Sequence, residues 1–174
     1  MVTIIDTQGA DPLPSSEGGG VASAIAHTFL AMLECPTATL AVVTGEGGSG
    51  GALALAAADR VVAWENAVFS VIAPEGAAAI LYRDETDRTS RVPELAEQLG
   101  ITVPDLAALG IVDEVVGEPV GGSQSSHKEA VADLAAVLSA ELDNLLSSRN
   151  AVRRRQRTRK WRRLAVQHLG QGTD

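Results

Sequence analysis

Between residues 38 and 58 the chain reads ATLAVVTGEGGSGGALALAAA, and no other stretch limits the possible folds so sharply. The first seven residues are apolar or β-branched throughout, as in a strand buried on both faces. Five of the next seven are glycine. The last seven are alanine and leucine, the strongest helix formers. Glycine loses the most backbone entropy on ordering, so such a cluster in front of a helix needs a structural reason. A strand, a glycine-rich turn and a helix together present the unpaired N–H groups of the first helical turn, and the positive end of the helix dipole, to an anion.

The rest of the chain supplies the frame. VTIID reads as a short strand and TQGADPLPSSEGGG as a long loop. VASAIAHTFLAMLE places Val21, Ile25, Phe29 and Met32/Leu33 on one helical face, and CPT ends it. A helix is expected from about Ser49 to Ala58, followed by the short strands RVVAW and AVFSVI. PEGAAAILY has proline where a first helical turn tolerates it. DETDRTSR is polar and expected at the surface, PELAEQLG and PDLAALG read as short helices, and IVDEVV reads as a strand before the loop EPVGGSQSS. HKEAVADLAAVLSAELDNLLSSRN is a long amphipathic helix that can continue into the basic C-terminus. Strands alternating with helices give an α/β class with a largely parallel sheet. No internal repeat is present. At 174 residues one domain with its own core is expected, and with only 3% aromatics that core must be built from small side chains.

Charge divides the chain at residue 148. Residues 1–148 carry 21 acidic and 5 basic side chains, whereas residues 149–174 carry 9 basic and 1 acidic. These are the two expected units, a body and a basic helical tail. The tail with Trp161 could bind phosphates and stack a base, but the acidic body would repel a polyanion, so no nucleic-acid partner is expected. No apolar run is long enough to span a bilayer and no signal peptide is evident, so no membrane and a cytoplasmic location are expected. A single cysteine, Cys35, excludes an internal disulfide and reads as a small buried hydrophobe.

Several anions could meet the glycine turn. A P-loop needs lysine and then serine or threonine after the last glycine, and here Ala52 and Leu53 follow Gly51. A dinucleotide fingerprint can be drawn through Gly45, Gly47 and Gly50 with Glu65 as its acidic residue. The glycines could also serve close helix–sheet packing alone. An oxyanion hole is the sharper reading. Ser49 reads as a helix N-cap. Were it a nucleophile, no histidine lies nearby in sequence, and His27, His127 and His168 are all remote.

Four blocks carry a resemblance. IDTQGADP, AVVTGEGGSGGALALAAAD, FSVIAPEGAAAILY and ELAEQLGITVPDLAALGIVDEVVGEPVGG are similar, in order and spacing, to the carboxyltransferase α subunit of bacterial acetyl-CoA carboxylase. The resemblance covers about the second half of that family's length. It implies a crotonase (ClpP-like) fold of repeated ββα units, truncated at the N-terminus, with a long C-terminal helix. It also implies transfer of CO₂ from carboxybiotin, held on a separate carrier protein, to the α-carbon of an acyl-CoA thioester. By the same resemblance Gly50 and Gly51 supply biotin-side N–H donors, with Gly47 and Gly48 shaping the turn, and Gly47, Gly48, Ser49 and Glu75 are the expected cofactor-binding residues. Gly9 and Ala10 match the other oxyanion element, although TQGAD replaces the family's proline before the glycine. The implied partners are a carboxyltransferase β-type subunit and a biotin carboxyl carrier protein in a hetero-oligomer. A hydratase of the same superfamily would need a glutamate where Leu53 stands. Two other readings stay open: a crotonase-fold decarboxylase that does not use biotin, and a non-catalytic structural subunit.

Glu75 follows Pro74 at a helix start, where it favours the dipole or stands near the site. Asp6, Thr7 and Asp11 lie at a strand end and its loop, the edge that carries ligands in α/β folds and also a place where such residues build turns. His27 reads as an ordinary residue on the face away from the apolar stripe.

Overall fold

The computed structural model describes residues 1–11 and 13–167, so His168 lies outside the described residues. A parallel sheet forms the centre. Its middle strand β2 (Leu40–Gly48) pairs with β1 (Val2–Thr7) on one side and β3 (Arg60–Trp64) on the other, and β3 pairs with β5 (Glu114–Val116). β2 is shared between two partners along its length. Leu40–Val43 align with Arg60–Ala63 of β3, whereas Glu46–Gly48 align with β4 (Val68–Ser70). Beyond Val43 the strand therefore leaves one neighbour and meets another, and the glycines lie on this second part.

Strand alternation assigns each residue to a face. Ala41, Val43, Val61 and Ala63 pack with Met32 of α2 (Val21–Glu34), Ala52 and Ala56 of α3 (Ser49–Ala56) and Leu106 of α6 (Val103–Ala108). Leu40, Val62 and Val116 pack on the opposite face against Leu138, Leu142 and Leu145 of α7 (His127–Ser147). Alanine at Ala52, Ala54 and Ala56 lets α3 lie close to the sheet. The loop after β1 holds a short helix α1 (Pro14–Gly18) that the sequence gives no apolar pattern to reveal. α4 (Pro74–Leu81), a 3₁₀ turn (Arg88–Arg91) and α5 (Val92–Leu99) complete the fold, and proline opens α4 as expected.

The long C-terminal helix is two helices. α7 ends at Ser148, whose extended backbone (φ −93°, ψ 149°) starts α8 (Asn150–Gln167) in a new direction. Arg153 donates to the carbonyls of Leu145 and Ser148 and so satisfies the end of α7. Arg157, with a side chain 1% exposed, grips Asp59 through Nε (2.9 Å) and Nη2 (2.8 Å) and donates to the carbonyls of Met32, Cys35 and Thr37. Trp161 Nε1 donates to the Ala58 carbonyl (3.1 Å), and Lys160 pairs with Asp113. Cys35 is not a core residue: it is half-buried at the end of α2, with Sγ 3.5 Å from Thr37 Oγ1.

Among the described residues no helix is long and apolar enough to cross a membrane.

Candidate active site

Two backbone segments meet at the ends of β1 and β2. In the first, Thr7 Oγ1 accepts a hydrogen bond from Gly9 N–H (3.2 Å), and Gly9 holds φ +123°, a conformation that suits glycine. In the second, β2 runs through Gly48 directly into α3. A Cβ on Gly48 would overlap the Gln8 carbonyl oxygen, and one on Gly9 would stand 2.9 Å from Ser49 Cβ and 3.2 Å from the Gly48 carbonyl oxygen. Main chain thus lies on main chain.

The turn corrects the expectation for Ser49. Gly48 is the N-cap (φ −93°, ψ 132°), and Ser49 is the first helical residue with no side-chain capping bond. Ser49 is also the only non-glycine with positive φ (+55°) among the described residues. The reversal from strand to helix must be completed within one residue here, and the left-handed conformation does it. Such backbone costs roughly 1–3 kcal/mol and concentrates at functional sites. Ser49 has no hydrogen bond to a histidine among the described residues. His27 is exposed beside Ser23, and His127 Nδ1 lies 2.9 Å from the Ser123 carbonyl at the start of α7.

Most of the glycines have a packing reason. A Cβ on Gly45 would meet Asp6 Oδ1 at 2.5 Å, one on Gly47 would overlap the Phe69 ring, and one on Gly50 would stand 3.2 Å from Ile25 of α2. Gly51 differs: its Cβ would find only ordinary contacts, 3.7 Å from Ala10 N. The amides of Gly50 and Gly51 lie in the first turn of α3, where no intrahelical acceptor exists, and among the described residues no turn or loop carbonyl accepts from either. The dinucleotide reading fails. Gly45 and Gly47 are strand residues filled by Asp6 and Phe69, and Glu65 is already accepting from Glu118 N–H (2.8 Å).

Asp6 Oδ1 accepts from Glu46 N–H (3.0 Å) and braces the β1 and β2 ends, while Asp11 accepts from Leu13 N–H and Ser16 Oγ to shape the loop. Glu75 stands exposed in the first turn of α4 with no hydrogen bond to the glycine turn among the described residues. Leu53 lines an apolar concavity of about 320 Å³ with Phe69, Ser70, Leu106, Trp161 and Leu164. Ser70 on its rim is the Cα partner of Gly48, so this hollow opens one strand spacing from the turn. Neither Gly50 nor Gly51 lines it. Sequence reasoning missed that α8 supplies part of the wall, and the apolar pair Trp161 and Leu164 at i, i+3 within a basic run was the available signal.

A family model described as acetyl co-enzyme A carboxylase carboxyltransferase-like matches residues 1–165. The chain belongs to this carboxyltransferase family. It is 46% identical over 170 residues to the acetyl-coenzyme A carboxylase carboxyl transferase subunits beta/alpha of Salinispora arenicola, covering 98% of this chain and 29% of that protein. It is 41% identical to the carboxyl transferase subunit alpha of Rhodospirillum centenum, covering 98% of this chain and 52% of that protein. Among solved structures it matches transcarboxylase 12S with a TM-score of 0.70 at 27% identity, over 85% of this chain and 28% of that one. A Pseudomonas malonate decarboxylase hetero-dimer shares the fold, with a TM-score of 0.70 at 19% identity over 96% of this chain and 66% of that one. The crotonase fold is thereby that of this carboxyltransferase-family chain, which spans about half or less of the two carboxyl transferase relatives' lengths.

Proposed function

We propose that this chain forms the biotin-facing oxyanion site of a biotin-dependent acyl-CoA carboxyltransferase of the acetyl-CoA to malonyl-CoA type. Gly50 and Gly51 donate their main-chain N–H groups. In the second oxyanion element, expected at Gly9 and Ala10, the Ala10 N–H is the donor and Gly9 shapes the loop, because the Gly9 N–H is taken by Thr7 Oγ1. Gly47, Gly48 and Ser49 fix the turn, and Glu75 stands on the cofactor side. The observation that carries the reading is the direct contact between the Gln8–Ala10 loop and the Gly48–Gly51 turn, with the Gly50 and Gly51 amides, from which no turn or loop carbonyl accepts among the described residues, at its edge.

The donor set suits an oxygen that becomes negative, because the turn is built from N–H groups and its side chains carry no formal charge from Gly47 to Leu53. When bound, carboxybiotin would supply CO₂ and leave a ureido oxygen gaining negative charge. This chain's own contribution is to hold the amides in place before the charge develops, which is worth about 3–4 kcal/mol for one such donor. The rigid contact with the Gln8 carbonyl keeps the turn from adjusting, so no reorganisation is needed during reaction. A β-type subunit would hold the acyl-CoA and a biotinylated carrier protein would deliver the cofactor, in the cytoplasm.

The test is reconstitution of the chain with the β-type subunit and biotinylated carrier from its own host. Malonyl-CoA formation that needs the biotinylated carrier supports the reading. Loss of CO₂ from malonyl-CoA without biotin would replace it with a decarboxylase.

A further inference from the structure

α8 presents two different faces. At about 100° per residue, Arg153, Arg157, Lys160, Trp161 and Leu164 share the side turned to the body. Arg154, Arg155, Arg159, Arg162 and Arg163 occupy the other side and are all exposed. They extend over about 14 Å of helix. α8 contains no acidic residue, and none of these five arginines takes part in an ion pair among the described residues. A stripe of guanidinium groups is costly to assemble through mutual repulsion, and docking of the other face holds it in register.

The stripe borders a groove. Between α2 and α8 lies a hollow of about 540 Å³ lined by Leu30, Leu33, Glu34, Arg154, Thr158 and Arg162. Leu30 is 52% exposed although it is a large apolar residue. The α2 side therefore offers two leucines and the α8 side is cationic, with Glu34 the one carboxylate among these lining residues.

We propose that this groove docks an acidic amphipathic segment of another protein, leucine-type side chains entering between Leu30 and Leu33 while carboxylates meet Arg154, Arg162 and the stripe. Charge complementarity sets the sign of the partner, and the exposed Leu30 beside Leu33 sets its class. A phosphate backbone has nothing to place against Leu30 and Leu33. The tryptophan that could stack a base is half-buried on the side of α8 turned to the body, packed against the core and away from the stripe. The surface is independent of the glycine turn, so it stands or falls separately from the carboxyltransferase reading.

The probe is a fluorescein-labelled synthetic helix with glutamates on one face and leucines on the other, titrated into the full chain by anisotropy. A scrambled peptide of identical composition and a thymidine oligonucleotide are the comparisons. Binding of the patterned peptide should weaken as salt rises. Arg154→Glu combined with Arg162→Glu should weaken it roughly tenfold or more at unchanged circular dichroism and Tm. Leu30→Asp, a substitution at an exposed position, should weaken it several-fold at constant stripe charge. Equal binding of the scrambled peptide or the oligonucleotide would overturn the proposal in favour of a general polyanion surface. Self-association abolished by the arginine substitutions would overturn it in favour of a second copy of this chain. Absence of binding would overturn it outright.

Discussion

Gly51 allows the oxyanion proposal to be tested without dismantling the fold. A backbone N–H cannot be truncated like a side chain, but proline removes it. In most of a helix that replacement would cost an intrahelical hydrogen bond and about 3 kcal/mol. Gly51 lies in the first turn of α3, where the N–H has no intrahelical acceptor and the fixed φ of proline is compatible with the helix. The residue before it is Gly50, which has no Cβ to clash with the proline ring. The nearest non-neighbouring atom to a Cβ at Gly51 would be Ala10 N at 3.7 Å, so the added carbon is accommodated. Gly51→Pro therefore deletes the donor, and Gly51→Ala adds the carbon while keeping it.

One preorganised donor is worth about 3–4 kcal/mol, or two to three decades in rate at 1.36 kcal/mol per decade. We expect Gly51→Pro to lower kcat of the reconstituted complex by roughly 10²–10³-fold. Gly51→Ala should retain activity within a few-fold and gain roughly 0.5–1 kcal/mol of stability, since alanine suits a helix better than glycine. Steady-state kinetics with saturating biotinylated carrier, together with thermal denaturation of each variant, checks both. Full activity in a folded Gly51→Pro protein refutes the donor role. An equally large loss in both variants refutes the separation of donor from space. Gly50 is the poorer probe, because an added carbon there presses on Ile25.

Other perturbations report on the scaffold. Gly48→Ala drives a carbon into the Gln8 carbonyl and should cost about 1–3 kcal/mol, a fall in Tm of roughly 2–12 °C, together with loss of activity. Arg157→Met strands Asp59, whose side chain is 4% exposed, and should destabilise by about 3–5 kcal/mol in urea denaturation; an unchanged midpoint would show that α8 is not clasped there. Burial lowers the Lys160 pKa, despite the opposing charge and hydrogen bond of Asp113. The unfolded chain then binds the extra proton over the interval between the folded pKa and the ordinary lysine value of 10.5. The burial cost is present in full below the folded pKa and disappears as pH rises through that interval. The stability of the native chain relative to Lys160→Met should therefore rise with alkaline pH, and a fall would show that pairing with Asp113 outweighs desolvation.

Legibility in the sequence followed the range of the physics involved. α2 spans Val21–Glu34 as read, because a proline-containing stop and a four-residue apolar period are local signals. The buried run Leu40–Val43 declared itself for the same reason. The glycines of β2 did not read as strand, since their pairing depends on β4, more than 20 residues away in sequence. The break at Ser148 was invisible because neither proline nor glycine marks it; what secures it is Arg153 turning back onto α7. The basic C-terminus read as one charged surface. Its arginines in fact divide, Arg153 and Arg157 buried and six others exposed, a distinction created by acceptors far off in the fold or at a helix end: the close of α7 for Arg153, and α2 with Asp59 for Arg157.

The glycine cluster resolves into something more specific than either of the two roles weighed for it. Close packing explains Gly45, Gly47, Gly48 and Gly50 residue by residue, and taken alone it would make the turn a structural feature. Yet the backbone that Gly48 approaches is Gln8, and the residues after Gln8 are Gly9 and Ala10, the second amide-bearing segment. Tight packing at Gly48 is therefore what holds the loop after β1 and the start of α3 beside one another, as the proposed site requires. The left-handed Ser49 is the strained consequence, since the chain must enter α3 without moving away from that contact. Gly51 alone has room to spare at the same edge. That open position is what makes Gly51, rather than Gly50, the place where the donor role and the packing role can be separated by substitution.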